Sequence, residues 1–129
     1  MDRLEERLEQ ARQTLTALEA LVALRNPTDL QRDACLLRLM LATEAVWKAA
    51  QRFLQDRHEL EVGSPREALR TSLEIGLLDG EQAERGLVLV RDRNLVVHAY
   101  NEALAREVLA RVPGHAEVLA AWLRAMGGR

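Results

Sequence analysis

Several residue types are nearly missing from this 129-residue chain, and each absence narrows the choice of protein class. The single cysteine, Cys35, cannot form a disulfide within the chain, and we expect it to pack in the core. The three prolines and seven glycines form no linker. No apolar run approaches the roughly 18 residues that a bilayer span requires, and the first residues are too charged for a secretory signal peptide. We therefore expect a cytoplasmic protein without membrane contact.

Neither sign of charge dominates, since 18 basic side chains face 20 acidic ones and the formal net charge is -2. This balance argues against a broad RNA-binding surface, because non-specific binding comes from neutralising several phosphates at once. The three histidines, His58, His98 and His115, lack the spacing of metal ligands, and the chain has no phosphate loop, dinucleotide motif or nucleophile elbow. We predict no metal site and no cofactor.

Leucine, alanine and arginine are abundant, whereas isoleucine and lysine occur once each. Strong helix formers with few β-branched residues predict an all-α fold. The first segment carries an apolar stripe at alternating steps of four and three residues, typical of an amphipathic helix: Leu4, Leu8, Ala11, Leu15, Leu18 and Val22. We predict one domain over residues 1–129, an up-down four-helix bundle with a short fifth C-terminal helix.

Local signals place the helix ends. The first helix should stop near Arg25, because Pro27 follows closely, and Thr28 or Asp29 can cap the second, which we expect from residue 30 to about 60. Ser64, followed by a proline, predicts the start of the third helix, and Asp79 predicts the start of the fourth.

Two later segments are harder to interpret. Residues 86–97 could form a strand, a turn and a second strand, but a lone hairpin is marginally stable and we favour a helix. The final segment should run from Asn101 to Arg111, break at Pro113 and Gly114, and resume near Val118 as the short fifth helix.

The polar residues of the fourth segment are the strongest chemical signal. Two arginines, an asparagine, a histidine and the only tyrosine lie among aliphatic residues between positions 91 and 100. An imidazole can transfer a proton near neutral pH, and a guanidinium can hold a phosphate. Together His98 and Arg93 could cleave RNA without a metal: the histidine would activate the 2′-hydroxyl or protonate the leaving oxygen, and the arginine would stabilise charge on the phosphate.

The spacing of these residues restricts how they could form one site. On a continuous helix Arg93 and His98 lie roughly 140° apart, so either the helix ends or bends between them, or two subunits contribute. Asn94 shares a face with His98, and Tyr100 shares one with Arg93, which favours a site across the two-fold axis of a homodimer. The alternative is a structural histidine, since an arginine five residues before a histidine is common by chance in so arginine-rich a chain.

The remaining polar and aromatic residues have mainly structural interpretations. Glu44 on the second helix can pair with an arginine from the fourth, and Lys48 is interpreted as a solvated or snorkelling side chain. Trp47, Phe53 and Trp122 are expected to anchor the core or an interface.

Four stretches occur in the order found in a known family. They are residues 41–48 (Leu-Ala-Thr-Glu-Ala-Val-Trp-Lys), 64–67 (Ser-Pro-Arg-Glu), 75–78 (Ile-Gly-Leu-Leu), and Arg93-Asn94 followed by His98 and Tyr100. The chain resembles the HEPN superfamily, and within it the nucleotidyltransferase substrate-binding proteins, small helical partners of a minimal nucleotidyltransferase. The resemblance extends from the first helix to Trp122.

The resemblance implies roles for particular residues. In the family pattern an arginine is followed after four to six residues by a histidine, as Arg93 is by His98, and Asn94 matches the polar residue that often follows the arginine. In relatives that are toxins these residues form a metal-independent ribonuclease at a dimer interface, and a tyrosine two positions after the histidine, here Tyr100, is adenylylated by the partner. The chain departs from the pattern where Ala42 and Val46 replace aromatic residues.

Two functions remain open at this point. The first is a non-catalytic, HEPN-type partner of a minimal nucleotidyltransferase in a two-gene module resembling a toxin and its antitoxin. It would act as a homodimer or higher oligomer that binds a nucleotide and presents a substrate or its own Tyr100 to the nucleotidyltransferase. The second is an endoribonuclease toxin that uses Arg93 and His98 on RNA and is silenced by adenylylation of Tyr100. We favour the first, because the chain is slightly acidic.

Overall fold

The computed structural model describes residues 2–98 and 101–127, and within them it contains five α-helices and no β-strand. The helices are α1 (Arg3–Val22), α2 (Asp29–His58), α3 (Pro65–Glu74), α4 (Gly80–His98) and α5 (Glu102–Ala125). The all-α prediction is confirmed, and residues 86–97 belong to a helix rather than a hairpin. Among these five helices, none is long and apolar enough to cross a membrane.

Each helix begins at a polar side chain that accepts a hydrogen bond from a backbone N–H of the first turn. The acceptors are Asp2, Thr28, Ser64, Asp79 and Asn101. Such caps satisfy donors that have no partner inside the helix, and each is worth about 1 kcal/mol. The caps predicted at Thr28, Ser64 and Asp79 are therefore confirmed.

The core lies where α2 meets the other helices. α2 packs against α1, α3, α4 and α5, while α1 also packs on α5 and α3 also packs on α4. The predicted stripe of α1 is buried from Leu4 to Leu18, and Trp47, Phe53 and Trp122 are all buried, as expected of core anchors. Cys35 is also buried, and this burial raises the pKa of its thiol, which fits a packing role.

The predicted break at Pro113 and Gly114 is wrong. α5 continues through both residues for 24 residues in all, so the C-terminal helix is long and the short helix is α3. Proline removes one backbone hydrogen bond and usually ends a helix in water. Here Pro113 is exposed while Val112 and Ala116 on either side are buried, so packing of the inner face holds α5 together across the missing bond.

α4 approaches α3 closely at Gly86. A Cβ atom placed on Gly86 would lie 2.6 Å from Cδ2 of Leu69, and Leu69 is 1% exposed. Real Cβ atoms do not approach other atoms so closely, so a larger residue would force the buried Leu69 side chain out of its position.

We expect Gly86→Ala to lower the free energy of unfolding, since overpacking costs about 1–3 kcal/mol and the gain in helix propensity returns about 1 kcal/mol. Urea denaturation measures the change. Gly80→Ala is the matched control, because a Cβ on Gly80 meets nothing within 4 Å. Equal stability of the two variants would contradict the close packing of α3 and α4.

Candidate functional site

Arg93 on α4 is directed towards α2. Its Nη2 lies 3.5 Å from Oε2 of Glu44, and its Nη1 donates to the side-chain oxygen of Asn94 at 2.9 Å. The predicted pairing of Glu44 with an arginine of the fourth helix is thus confirmed. The same Oε2 of Glu44 accepts a 2.9 Å hydrogen bond from the indole Nε1 of Trp47, and the ammonium of Lys48 lies 4.6 Å from the centre of that indole.

His98 is the last residue of α4 and its side chain is exposed. It makes no hydrogen bond or ion pair with any of the described residues, and therefore none with Arg93. α4 runs without interruption from Arg93 to His98, so the bend that would bring the two together within one chain is absent from this helix. Tyr100 lies outside the described residues.

The residues predicted for the site nevertheless share one side of α4. At 100° per residue, Val97, Asn94 and His98 follow Arg93 around the helix at about 40°, 100° and 140°. All four are half-buried or exposed, and Val97 is 50% exposed. The structure therefore places Arg93, Asn94 and His98 along one outward arc of the last turns of α4, with Arg93 and His98 at its two edges.

Asp92 lies on the opposite side of α4 and is completely buried. The guanidinium of Arg111 on α5 donates to both of its carboxylate oxygens, from Nε at 2.7 Å and from Nη2 at 2.9 Å. Nε2 of His115, also on α5, lies 2.7 Å from Oδ2 of Asp92, and His115 is 4% exposed. A charged cluster thus joins α4 to α5 inside the bundle.

Burial and hydrogen bonding act against each other on the pKa values of this cluster. Burial alone would raise the pKa of Asp92, but the hydrogen bonds from Arg111 and His115 outweigh it and lower this pKa, so the carboxylate is charged. Burial lowers the pKa of His115 and exceeds the opposing effect of Asp92, so the imidazole is neutral near pH 7 and donates from Nε2 to the carboxylate.

Sequence reasoning missed this cluster, although a signal for it existed. Arg111 and His115 are four residues apart, so on one helix they share a face. Because a break was predicted at Pro113, Arg111 and His115 were assigned to separate segments and their shared face was not recognised.

The side chains that could bind a metal ion are dispersed over the helices. Within residues 2–98 and 101–127, no group of three or more His, Cys, Asp or Glu side chains is arranged to hold a metal ion.

The chain matches the profile of a known protein family. The profile of the family described as "Nucleotidyltransferase substrate binding protein like" matches residues 3–127. The chain belongs to this family. The family predicted from residues 41–48, 64–67, 75–78 and the Arg93 to Tyr100 segment is therefore confirmed. No curated protein matches the chain.

Solved structures show the same fold. A crystal structure of a Thermus thermophilus protein is 39% identical, with a TM-score of 0.86 over 90% of this chain and 98% of that one. A chain of the structure described as the tri-AMPylated Shewanella oneidensis HEPN toxin in complex with MNT antitoxin is 16% identical, with a TM-score of 0.78 over 100% of both chains. A toxin–antitoxin structure with AMP-PNP is 15% identical, again with a TM-score of 0.78 over 100% of both chains. This chain therefore shares its helical arrangement with a chain of each of these structures.

The buried histidine makes stability depend on pH. Because the pKa of folded His115 is lowered, the unfolded chain takes up a proton first as the pH falls below about 6.5. We expect the free energy of unfolding to decrease below that pH by up to about 1.4 kcal/mol per pH unit, until folded His115 is itself protonated.

Denaturant titrations between pH 8 and pH 5 measure this slope. His115→Gln, whose amide can still donate to Asp92 but does not titrate, should flatten it. An unchanged slope in this variant would show that His115 is not the group responsible.

Proposed function

We propose that this chain is the HEPN-type partner of a minimal nucleotidyltransferase in a two-gene module resembling a toxin and its antitoxin. The observation that carries the proposal is the family match over residues 3–127, which includes the Arg93, Asn94 and His98 arc of α4. Structures of the same fold are described as toxins with a nucleotidyltransferase-type antitoxin, one of them AMPylated.

Tyr100 is the proposed acceptor of the nucleotide. It follows the last residue of α4 by two positions in the sequence, and that end of α4 is exposed at Val97 and His98. In the proposed reaction the phenol oxygen attacks the α-phosphorus of ATP, and the bond from this phosphorus to the bridging oxygen breaks. Pyrophosphate leaves, and the phenol proton passes to a base of the partner.

A homodimer forms part of the proposal, and exposed apolar residues support it. Val97 lies one turn beyond Arg93 on α4, and Leu41 lies one turn before Glu44 on α2; they are 50% and 42% exposed. The first turns of α5 and of α2 line one cleft. Because α5 begins shortly after α4 ends, the end of α4 and the start of α2 lie at the same end of the bundle. Val97 and Leu41 therefore extend from the Arg93–Glu44 contact towards the same end of the bundle, where a second copy of the chain would cover them.

A second function, RNA cleavage by Arg93 and His98, is favoured by their position at the two edges of the outward arc. A phosphodiester that lies across the arc of a dimer would meet the guanidinium of one copy and the imidazole of the other. This function needs no metal, because the imidazole moves the proton and the guanidinium stabilises the phosphate charge.

The partner proposal is tested by adding ATP and the nucleotidyltransferase encoded beside this chain to the purified protein. We expect a stable complex and a mass gain of AMP on the chain, mapped to Tyr100 by peptide sequencing. Tyr100→Phe, which lacks only the hydroxyl, should still form the complex but gain no mass. Absence of both the complex and the adduct would refute the proposal.

The ribonuclease alternative is tested by expressing the protein alone and following growth and RNA integrity. If the chain cleaves RNA, His98→Ala should lower the rate by about 10²–10⁴, the usual contribution of a general acid or base.

His58→Ala is the matched control, because His58 is also an exposed histidine at the last position of a helix, α2. Equal RNA loss with wild type and His98→Ala would exclude His98 from the chemistry, and intact RNA with wild type would leave only the partner role.

A further inference from the structure

Two ion pairs at adjacent positions of α4 differ in kind. Asp92 and Arg111 are joined by two short hydrogen bonds, and the carboxylate is fully buried. Arg93 and Glu44 make one contact of 3.5 Å, and their side chains are 31% and 46% exposed. A buried, two-point pair is costly to break, whereas an exposed, one-point pair is worth about 0–1 kcal/mol. The Arg93 guanidinium can therefore leave its partner at little cost.

Glu44 is the fixed member of the second pair. Its Oε2 accepts the 2.9 Å hydrogen bond from Nε1 of Trp47, and the Trp47 side chain is buried at 6% exposure. A buried indole cannot follow a moving surface group, so Trp47 keeps the carboxylate in place. It follows that when the pair opens, Arg93 moves and Glu44 stays.

The guanidinium of Arg93 also has N–H donors beyond those used in its described contacts. It carries five N–H groups, and the described contacts with Glu44 and Asn94 account for one on each terminal nitrogen. A phosphate offers more acceptor oxygens than a carboxylate and the two-point geometry that a guanidinium prefers, and a phosphomonoester also carries a higher charge. Glu44 and a phosphate thus present like charges to the same cation.

We propose that Glu44 is an internal competitor for phosphate at Arg93: in the free chain it retains the guanidinium on α2, and the phosphate of a nucleotide or an RNA displaces it. The inference rests on the proposed function, since it concerns the same arginine, and it names how that site is regulated. It accounts for the orientation of Arg93 in the free chain, towards α2 and away from His98. Lys48, whose ammonium lies over Trp47, supplies a second cation beside the exchanging groups.

The test compares the phosphate affinity of Glu44→Gln with that of the wild type. The glutamine oxygen can still accept from Trp47, so we expect the fold and the melting temperature to be kept, while the charge that competes for Arg93 is gone. Isothermal titration with inorganic phosphate, AMP and a short single-stranded RNA should show binding about two- to five-fold tighter, as expected from removing a surface ion pair.

The control variant is Asp56→Asn. Asp56 is a half-exposed carboxylate of α2 paired with Arg52 at 3.1 Å, so the substitution removes the same charge from the same helix. It lies twelve residues from Glu44, about 18 Å along the axis and beyond the screening length of roughly 8 Å in physiological salt. We expect Asp56→Asn to leave the affinity unchanged and Arg93→Gln to abolish binding.

The two tryptophans give a direct readout of the exchange. Nε1–H of Trp47 donates to the oxygen that Arg93 leaves, whereas Nε1–H of Trp122 donates to Ser72 at 3.0 Å in the core. In a ¹⁵N-labelled sample titrated with AMP, the indole signal of Trp47 should shift with phosphate and that of Trp122 should not.

Each outcome decides the inference. Tighter binding by Glu44→Gln, together with the shift of Trp47, supports it, and a preference for AMP or for RNA then identifies a monoester or a diester as the ligand. Equal or weaker binding by Glu44→Gln, a static Trp47 signal, or no binding by either protein would overturn it. These measurements use the isolated chain, so failure to form a nucleotidyltransferase complex would count against the proposed function alone.

Discussion

The buried carboxylate of Asp92 sets the rotation of α4, and the placement of the candidate site follows from that rotation. With both oxygens of Asp92 engaged by Arg111 and His115, the helix can present only one side to α5. Arg93 then lies about 100° from Asp92 in one direction and His98 about 120° in the other. Val90, one turn earlier, lies between these two directions and is buried, so the arc faces outwards only beyond it, in the last turns of α4. A charged group in the core thereby orients surface groups that it does not touch.

A charge inside a helical bundle carries a desolvation cost, but it fixes the rotation of a helix specifically. Apolar side chains tolerate small rotations of a helix because their contacts are not directional, whereas a two-point guanidinium pair has one geometry. Removing one partner of such a pair leaves an uncompensated buried charge and costs about 3–5 kcal/mol. Rotated states of α4 are disfavoured for the same reason, and we regard this specificity as the physical basis for the well-defined outward arc.

Much of the fold could be predicted from the sequence, because its determinants are local. Caps such as Thr28, Ser64 and Asp79 are visible within four residues, and the stripe of α1 is visible within two turns. The continuation of α5 through Pro113 was not predictable in this way, because it depends on Val112 and Ala116 packing against other helices. A pairing of Glu44 with an arginine of the fourth helix was predicted, but not which arginine, and the partners of Asp92 were not predicted. The choice among eighteen basic residues and three histidines is made by the tertiary structure.

The fold is shared by chains of very different sequence. Chains that share only 15–16% of their residues with this one keep its helical arrangement at a TM-score of 0.78, so the fold tolerates extensive changes of sequence. In this chain the consecutive residues Asp92 and Arg93 have different roles. Asp92 is held by two short hydrogen bonds that fix the rotation of α4, whereas Arg93 is held by one long contact that a stronger anion can replace. A rigid ion pair beside an exchangeable one gives the site both a defined position and a guanidinium that can exchange its anionic partner.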